Sequence, residues 1–196
     1  MPFTLDVLCR FVLLAVPFLL ATSVSASVTK ATDELKSTIE EVLVIVNDKN
    51  LEKDAVARRH QLQETIAKRF DYQQMGVRSL KKVWNQLSQK ERGQFTKQFK
   101  RLLETAYSNQ IENYKEGRID FIDEMIKGKH ALVKTRIHKN SETTELDYKL
   151  VRKDDGWKIY DFVINGVSMV RNYHSQFSKF LEKKTFNELL KKMEAI

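Results

Sequence analysis

The hydrophobic residues of this chain follow two different periods, and the period changes near residue 117. Before that point they recur every three or four positions, which is typical of amphipathic helices. A first stripe contains Leu35, Ile39, Val42 and Val46. A polar break at residues 47–50 separates it from a second stripe, which contains Leu51, Ala55, Arg59, Leu62 and Ile66. The pattern therefore predicts two amphipathic helices, one on each side of the break.

A capping signal marks the start of the longest predicted helix. A short helix is expected before it, over residues 71–80. Ser88 and Glu91 then stand three residues apart, the spacing of a capping box, in which each side chain accepts a hydrogen bond from the other residue's backbone. The apolar face that follows contains Phe95, Phe99, Leu102, Leu103, Ala106, Tyr107, Gln110, Ile111 and Tyr114. A face so rich in aromatic residues is typical of core packing.

After Gly117 the pattern alternates, as expected of strands with one buried face. The alternating runs cover residues 119–126, 130–139, 143–153 and 157–164. Turn-forming residues separate them, namely Gly128, Asn140-Ser141 and Asp154-Asp155-Gly156. Short breaks of this kind favour hairpins. The second half of the chain therefore predicts a four-stranded antiparallel meander.

Alternation also assigns the faces of these strands. The second run places Ala131, Val133, Thr135 and Ile137 on one face, and the third run does the same for Leu146, Tyr148 and Leu150. In the fourth run, one face would carry Trp157, Ile159 and Val163, and the other Tyr160, Phe162 and Ile164. Because both faces of the fourth strand are apolar, we expect it to be covered on both sides or to border a cavity.

Helices return after the meander, and together these elements define a fold class. Ser168 is a candidate N-cap for one helix, and a last helix is expected from Thr185. Helices, then a meander, then helices predict an α+β fold in which helices pack on a curved four-stranded antiparallel sheet, forming a cone with an apolar cavity. No linker rich in Pro, Gly or Ser divides residues 27–196, so we expect a single domain there.

The first 26 residues have the features of a secretory signal peptide. Arg10 precedes an apolar run over residues 11–21, and the small residues Ser25 and Ala26 follow. This run has the length of a signal-peptide core and is short for a membrane span. We expect cleavage after Ala26, with an uncleaved amphipathic or anchoring helix as the alternative. Export would place residues 27–196 in the periplasm.

Charge and cysteine content limit the function classes. The chain of 196 residues has 34 Lys and Arg against 26 Asp and Glu, a formal net charge of +8, which favours anionic partners. Its single cysteine, Cys9, lies in the predicted signal peptide. The exported domain would therefore contain no disulfide, no thiolate metal site and no catalytic cysteine.

Sequence motifs for catalysis and for metal or nucleotide binding are missing. The four histidines show no ligand spacing, so no metal is expected. Gly166-Val167-Ser168 lies between a strand and a helix, but Val170 stands where a nucleophile elbow needs its second glycine. The sequence contains no phosphate-binding glycine motif, so no nucleotide cofactor is expected either.

Two alternatives use residue types that the chain does contain. Asp147 and Asp161 lie in predicted strands, and a carboxylate in such a cone can act as a general base. Asp147 alternates onto a polar face, however, and Asp161 fits a hydrogen-bonded structural role equally well, so we expect no enzyme. The basic pairs, such as Arg58-Arg59 and Lys183-Lys184, are scattered among acids. This is typical of solvated helix faces, and we expect no nucleic-acid partner.

Several blocks of sequence resemble one known family. The central block is Phe70-Asp71-Tyr72-Gln73-Gln74-Met75, followed by Leu80, Trp84, Phe95, Phe99, Leu102-Leu103 and Tyr107. The later blocks are LDYKL at 146–150, GWKIYDFVINGVSMV at 156–170 and NYHSQF at 172–177. In order and spacing these resemble the toluene-tolerance, MlaC-type family of periplasmic phospholipid-binding proteins. The chain departs from the family pattern at Asn165, Met169 and His174.

The resemblance implies a carrier that encloses the acyl chains of a phospholipid as cargo and needs no cofactor. It also implies two partners, an outer-membrane lipoprotein–porin complex and an inner-membrane ABC transporter complex with an MCE-type subunit. Such a carrier would move lipid between the two membranes and maintain the lipid asymmetry of the outer membrane. The alternative is a periplasmic interaction protein that has a basic docking surface and no lipid cargo.

If the chain does carry lipid, the cavity should lie between the concave sheet face and the long helix. The predicted lining on the sheet side consists of Val133, Ile137, Leu146, Tyr148, Leu150, Ile159, Val163 and Val167. The predicted lining on the helix side consists of Phe99, Leu103 and Tyr107. Each of these residues could equally be ordinary core, because a pocket wall and a core have the same composition.

Overall fold

The computed structural model describes residues 30–112, 114 and 117–195. The predicted signal peptide, including the cleavage site after Ala26, lies outside this part of the chain.

Two antiparallel helical segments begin the structure, and the second is interrupted where a continuous stripe was predicted. The elements are α1 (Ala31–Asn47), α2 (Lys49–Glu52) and α3 (Ala55–Arg69). The interruption follows from two competing N-caps. Asp48 accepts a hydrogen bond from the Asn50 backbone, and Asp54 accepts one from the Ala57 backbone, so a new helix begins after each aspartate.

The next helices lead into the longest one. They are α4 (Tyr72–Leu80), α5 (Lys82–Gln86) and α6 (Gln89–Glu112). The capping box before α6 is confirmed, because the Ser88 backbone donates to Glu91 at 2.8 Å and the Glu91 backbone donates to Ser88 Oγ at 3.3 Å. The short helix α5 was not predicted. Tyr114, which was predicted on the stripe of α6, lies beyond its end.

The strands form one antiparallel meander in sequence order, followed by helices α7 (Met169–Leu181) and α8 (Phe186–Glu194). The strands are β1 (Arg118–Lys127), β2 (His130–Lys139), β3 (Glu142–Lys153), β4 (Gly156–Ile164) and β5 (Val167–Ser168). The α+β fold is therefore confirmed, with one short strand more than predicted. This strand exists because Asn165 and Gly166 both adopt positive φ and make a tight hairpin turn.

A β-bulge in β4 changes the predicted faces of that strand. Ile159 pairs with Leu150, whereas Asp161 pairs with Lys149, so Tyr160 is an extra residue without a partner on β3. An extra residue reverses the alternation beyond it. Phe162 and Ile164 therefore share the concave face with Ile159, and Val163 points to the opposite face, contrary to the prediction.

Two clusters of buried side chains hold the layers together. The larger one joins α4–α8 to the sheet and includes Phe95, Phe99 and Phe177. The smaller one joins the start of α1 to the sheet and includes Leu35, Leu150 and Trp157. The serine predicted as the N-cap of α7 is confirmed, because Ser168 Oγ accepts a hydrogen bond from the Arg171 backbone at 3.1 Å.

Candidate functional site

An apolar cavity of about 610 Å³ lies between the concave face of the sheet and helices α1, α3 and α6. Its volume is in the range of small-molecule binding sites. On the helix side, α1 contributes Leu35, Ile39, Val42, Leu43 and Val46. The sheet contributes Ile119, Ile137, Leu146, Tyr148, Ile159, Phe162 and Ile164. The walls therefore suit an elongated apolar ligand.

One end of the cavity is closed by packed core. Along the concave face of β2, Ala131, Val133 and Thr135 are all buried. Trp157 at the start of β4 packs in one cluster with Ala131 and Val133 and is itself only 1% exposed. None of these four buried residues borders the cavity, so the packed core closes this end.

A hydrogen-bond network ties α1 to this closed end. Arg69 at the end of α3 donates to Thr38 Oγ1 at 2.9 Å, to the Trp157 carbonyl at 2.8 Å and to Glu34. Glu34 also accepts from the Trp157 backbone at 3.0 Å. Because this part-buried ion pair has several hydrogen-bond partners, it fixes the start of α1 against β4.

The other end of the cavity opens toward solvent. Exposure rises along β2 and β3 toward their connecting turn, so Ile137 and Leu146 are only half-buried. Lys139 and Glu142 border the cavity beside that turn, and Ile111 borders it at the end of α6. We call this end, between the β2–β3 turn and the end of α6, the mouth of the cavity.

The mouth contains a cluster of charged side chains. Glu112 at the end of α6 is only 7% exposed. Arg59 of α3 donates to both of its oxygens, from Nε at 2.6 Å and from Nη2 at 3.3 Å. Arg58 Nη2 lies 3.9 Å from the same carboxylate. Two guanidinium groups therefore face one carboxylate, which leaves a local excess of positive charge.

A second polar group interrupts the apolar wall halfway along α6. Glu104 borders the cavity, and its Oε1 lies 3.6 Å from Lys100 Nζ. Burial raises the pKa of Glu104 above its ordinary value, although the neighbouring ammonium opposes the shift. Burial also raises the pKa of Tyr72 and of Tyr148, so both phenols stay protonated at neutral pH.

Six of the eleven residues predicted to line a cavity do so. They are Ile137, Leu146, Tyr148, Ile159, Leu103 and Tyr107. That these residues contact a bound lipid stays a prediction.

The other five predicted residues lie elsewhere, for three different reasons. Val133, Leu150 and Phe99 are fully buried in the two core clusters and do not border the cavity. Val163 lies on the opposite face because of the bulge at Tyr160. Val167 lies in the short edge strand and is 54% exposed.

The cavity wall formed by α1 and α3 was not predicted from the sequence. The apolar stripes of both helices were recognised, but nothing in their spacing indicated that they face a cavity. Arg59 was not predicted as a site residue either, because an arginine on an apolar stripe commonly extends its charged end into solvent. The presence of Arg59 between Leu51 and Leu62 on that stripe was the available signal.

The two aspartates of the enzyme alternative do not border the cavity. Asp161 is buried and accepts hydrogen bonds from Lys149 Nζ at 2.9 Å, Ser168 Oγ at 2.8 Å and the Val170 backbone at 3.1 Å. These contacts fix the start of α7 to β4, which is a structural role. Burial raises the pKa of Asp147 on the opposite face of β3.

Metal-binding clusters and membrane-spanning helices are absent from the described residues, 30–112, 114 and 117–195. This part of the chain contains no group of three or more His, Cys, Asp or Glu side chains placed to hold a metal ion. It also contains no helix that is long and apolar enough to cross a membrane.

Helices on a curved meander, around an apolar cavity with one closed and one open end, define a class of α+β proteins with an internal binding cavity. Within that class, the chain belongs to the MlaC family. The family model for the MlaC protein matches residues 36–195, which include all the elements around the cavity except the first turn of α1.

Two relatives support this assignment. The chain is 25% identical over 171 residues to the intermembrane phospholipid transport system binding protein MlaC of Haemophilus influenzae, covering 84% of this chain and 78% of that protein. It also matches the structure of a phospholipid-binding protein from Ralstonia solanacearum, solved in complex with a phospholipid. That match has a TM-score of 0.78 and 22% identity, and covers 85% of this chain and 96% of the other. The structural match shows that the two proteins share a fold.

Proposed function

We propose that this protein is a phospholipid carrier that holds acyl chains in the cavity and leaves the headgroup at the mouth. The observation that carries the proposal is the cavity itself, with apolar walls, a packed closed end and a charged open end. The names of the two relatives, one a phospholipid transport protein and one a phospholipid-binding protein, point the same way.

The hydrophobic effect explains why such a carrier needs an enclosed cavity. A two-chain lipid has about 30 methylenes, and exposing them to water costs on the order of 25 kcal/mol at about 0.8 kcal/mol each. Unassisted passage through an aqueous compartment is therefore prohibitively slow. Walls formed by Ile137, Leu146, Tyr148, Ile159, Leu103 and Tyr107 would replace the water around the chains.

Such a carrier would also need partners. A bilayer is as apolar as the cavity, so moving a lipid between them gains little free energy. We infer that partners on the two membranes drive exchange. By family resemblance these are an outer-membrane lipoprotein–porin complex and an inner-membrane ABC transporter complex with an MCE-type subunit. The protein would act in the periplasm as residues 27–196, and its transport would maintain outer-membrane lipid asymmetry.

Native mass spectrometry combined with lipid extraction tests the proposal. The mature protein should be purified from a periplasm without detergent, because detergent could displace bound lipid. A discrete added mass that extracts as phospholipid is the expected result. A mass without added lipid, unchanged after incubation with phospholipid vesicles, would contradict it.

One observation favours the second candidate, an interaction protein with a basic docking surface. A polar groove near the closed end of the cavity is lined by Lys68, Lys129, Arg152, Lys153 and Lys158, with Asp71, Asp154 and Asp155. Lys153 pairs with Asp71 and Lys158 with Asp155. Lys68 and Lys129 form no side-chain ion pair in the part of the chain that the structure describes. This groove could bind an acidic protein surface whether or not lipid is carried.

A further inference from the structure

The charge cluster at the mouth has hydrogen-bonding capacity that the protein itself does not use. A guanidinium has five N–H donors. Arg59 donates to Glu112 from Nε and Nη2, which form one side edge of the planar guanidinium. Nη1 of Arg59, at the end of the fork, has no acceptor within residues 30–112 and 117–195, and the side chain is 49% exposed. The end edge of the guanidinium is therefore open to a second anion.

Arg58 adds to the same local excess of donors. Its side chain is only 13% exposed, and its Nε is buried without a hydrogen-bond partner in the described structure. Its nearest carboxylate oxygen, on Glu112, lies 3.9 Å from Nη2, which is beyond hydrogen-bond distance. One carboxylate thus faces two cations, so the cluster attracts a further negative charge.

The location of this cluster identifies the anion. The other arginine that borders the cavity, Arg69, is bonded to Thr38, Glu34 and Trp157 at the closed end. Arg59 stands at the mouth, where the headgroup of a lipid must lie when its chains fill the cavity. Arginine binds phosphate oxygens well because its planar fork presents two parallel N–H donors.

We propose that Arg59 binds the phosphate of the lipid headgroup at the mouth of the cavity. Glu112 positions the guanidinium from its side edge, and Arg58 supplies additional positive charge. The inference rests on the proposed function, because it requires acyl chains in the cavity. It names the recognised group as a phosphate ester, so a lipid with the same chains and no phosphate should bind without the help of Arg59.

Competitive loading tests this directly. The mature protein is incubated with vesicles that contain equal amounts of dioleoylphosphatidylglycerol and dioleoylglycerol, and the ratio of the two bound lipids is measured by native mass spectrometry. We expect the wild type to favour the phospholipid, and Arg59→Ala to lower that ratio about fivefold. Arg59→Lys keeps the charge but loses the fork, so its ratio should fall between the two.

Arg118→Ala is the matched control. Arg118 pairs with Asp120 at 2.8 Å, is 74% exposed and does not border the cavity, so its removal changes the net charge equally. Its loading ratio should equal that of the wild type. Because the readout is a ratio of two bound lipids, a fraction of unfolded variant that binds neither does not change it.

Two results would overturn the inference. An unchanged ratio in Arg59→Ala would show that Arg59 does not recognise the phosphate, while the carrier function would stand. If the ratio is unchanged, titration of the wild type and of Arg59→Ala with inorganic phosphate shows whether Arg59 instead forms a site for free phosphate. If the wild type loads neither lipid, the proposed function fails and this inference with it.

Discussion

The two ends of the concave sheet face have the same kind of sequence and different surroundings. Val133 and Ile137 lie on one face of β2, separated by a single intervening residue of that face, Thr135. Val133 is fully buried beneath α1 and Trp157, whereas Ile137 borders the cavity near its mouth. Alternation therefore identifies which side chains face inward. Whether such a side chain contacts packed core or free space depends on how closely α1 covers β2 at that point.

The largest expected effect is a difference in the free energy of unfolding between two alanine variants. They replace aliphatic residues of similar size, one at each end of the concave sheet face. Leu150→Ala at the closed end should destabilise the lipid-free protein by about 2–5 kcal/mol, because it leaves a void in packed core. Ile137→Ala at the open end should cost about 1 kcal/mol or less, because its side chain already borders free space. Urea unfolding measures both values. Equal costs would mean that the wall at Ile137 is ordinary core.

The second prediction concerns the network that holds α1 at the closed end. Arg69→Ala removes hydrogen bonds to Thr38, Glu34 and the Trp157 carbonyl, and should destabilise the protein by about 2 kcal/mol. Hydrogen exchange should rise most in α1. Arg118→Ala, which removes an exposed ion pair, should cost at most about 0.5 kcal/mol. Unchanged exchange in α1 would show that its position depends on apolar packing alone.

The smallest expected effect is a pH dependence at Glu104, halfway between the two ends. Burial raises its pKa in the folded protein, so its charged form is disfavoured by folding. Its contribution to stability is therefore greatest below its ordinary pKa of 4.5 and is lost as pH rises through the raised value. Glu104→Gln should stabilise the protein at neutral pH, with the advantage shrinking toward pH 4. Thermal unfolding at both pH values checks this. A constant difference between the two proteins would contradict the assigned burial effect.

Much of the fold could be predicted from the sequence because its local signals agree with each other. The helical stripe of α6 begins at a capping box, and each strand of the meander ends at a turn whose residues permit it. The prediction was wrong where a capping signal and an apolar stripe indicated different helix boundaries. Asp48 and Asp54 both cap helices, so the stripe that continues past Leu51 is broken.

The site could be predicted only in part, because two of its determinants are not local. A single extra residue at Tyr160 reversed the faces of half of β4, and no turn residue marks the bulge. Free space cannot be inferred from composition either, since Phe99 and Tyr107 share one stripe but only Tyr107 borders the cavity. The position of α1 and α3 across the sheet decides which residues face the cavity, and that is a tertiary property.

Whether this cavity holds the lipid is tested most directly by placing one charge inside the cavity and the same charge outside it. Ile137→Glu places a carboxylate in the apolar wall, whereas Val167→Glu places one at an exposed position of β5. Both variants are purified from a periplasm without detergent, and bound phospholipid is counted per folded protein by native mass spectrometry. Ile137→Glu should lose most of its bound lipid, while Val167→Glu should retain the wild-type amount. Equal lipid in the two variants would contradict the claim that this cavity is where the protein holds lipid.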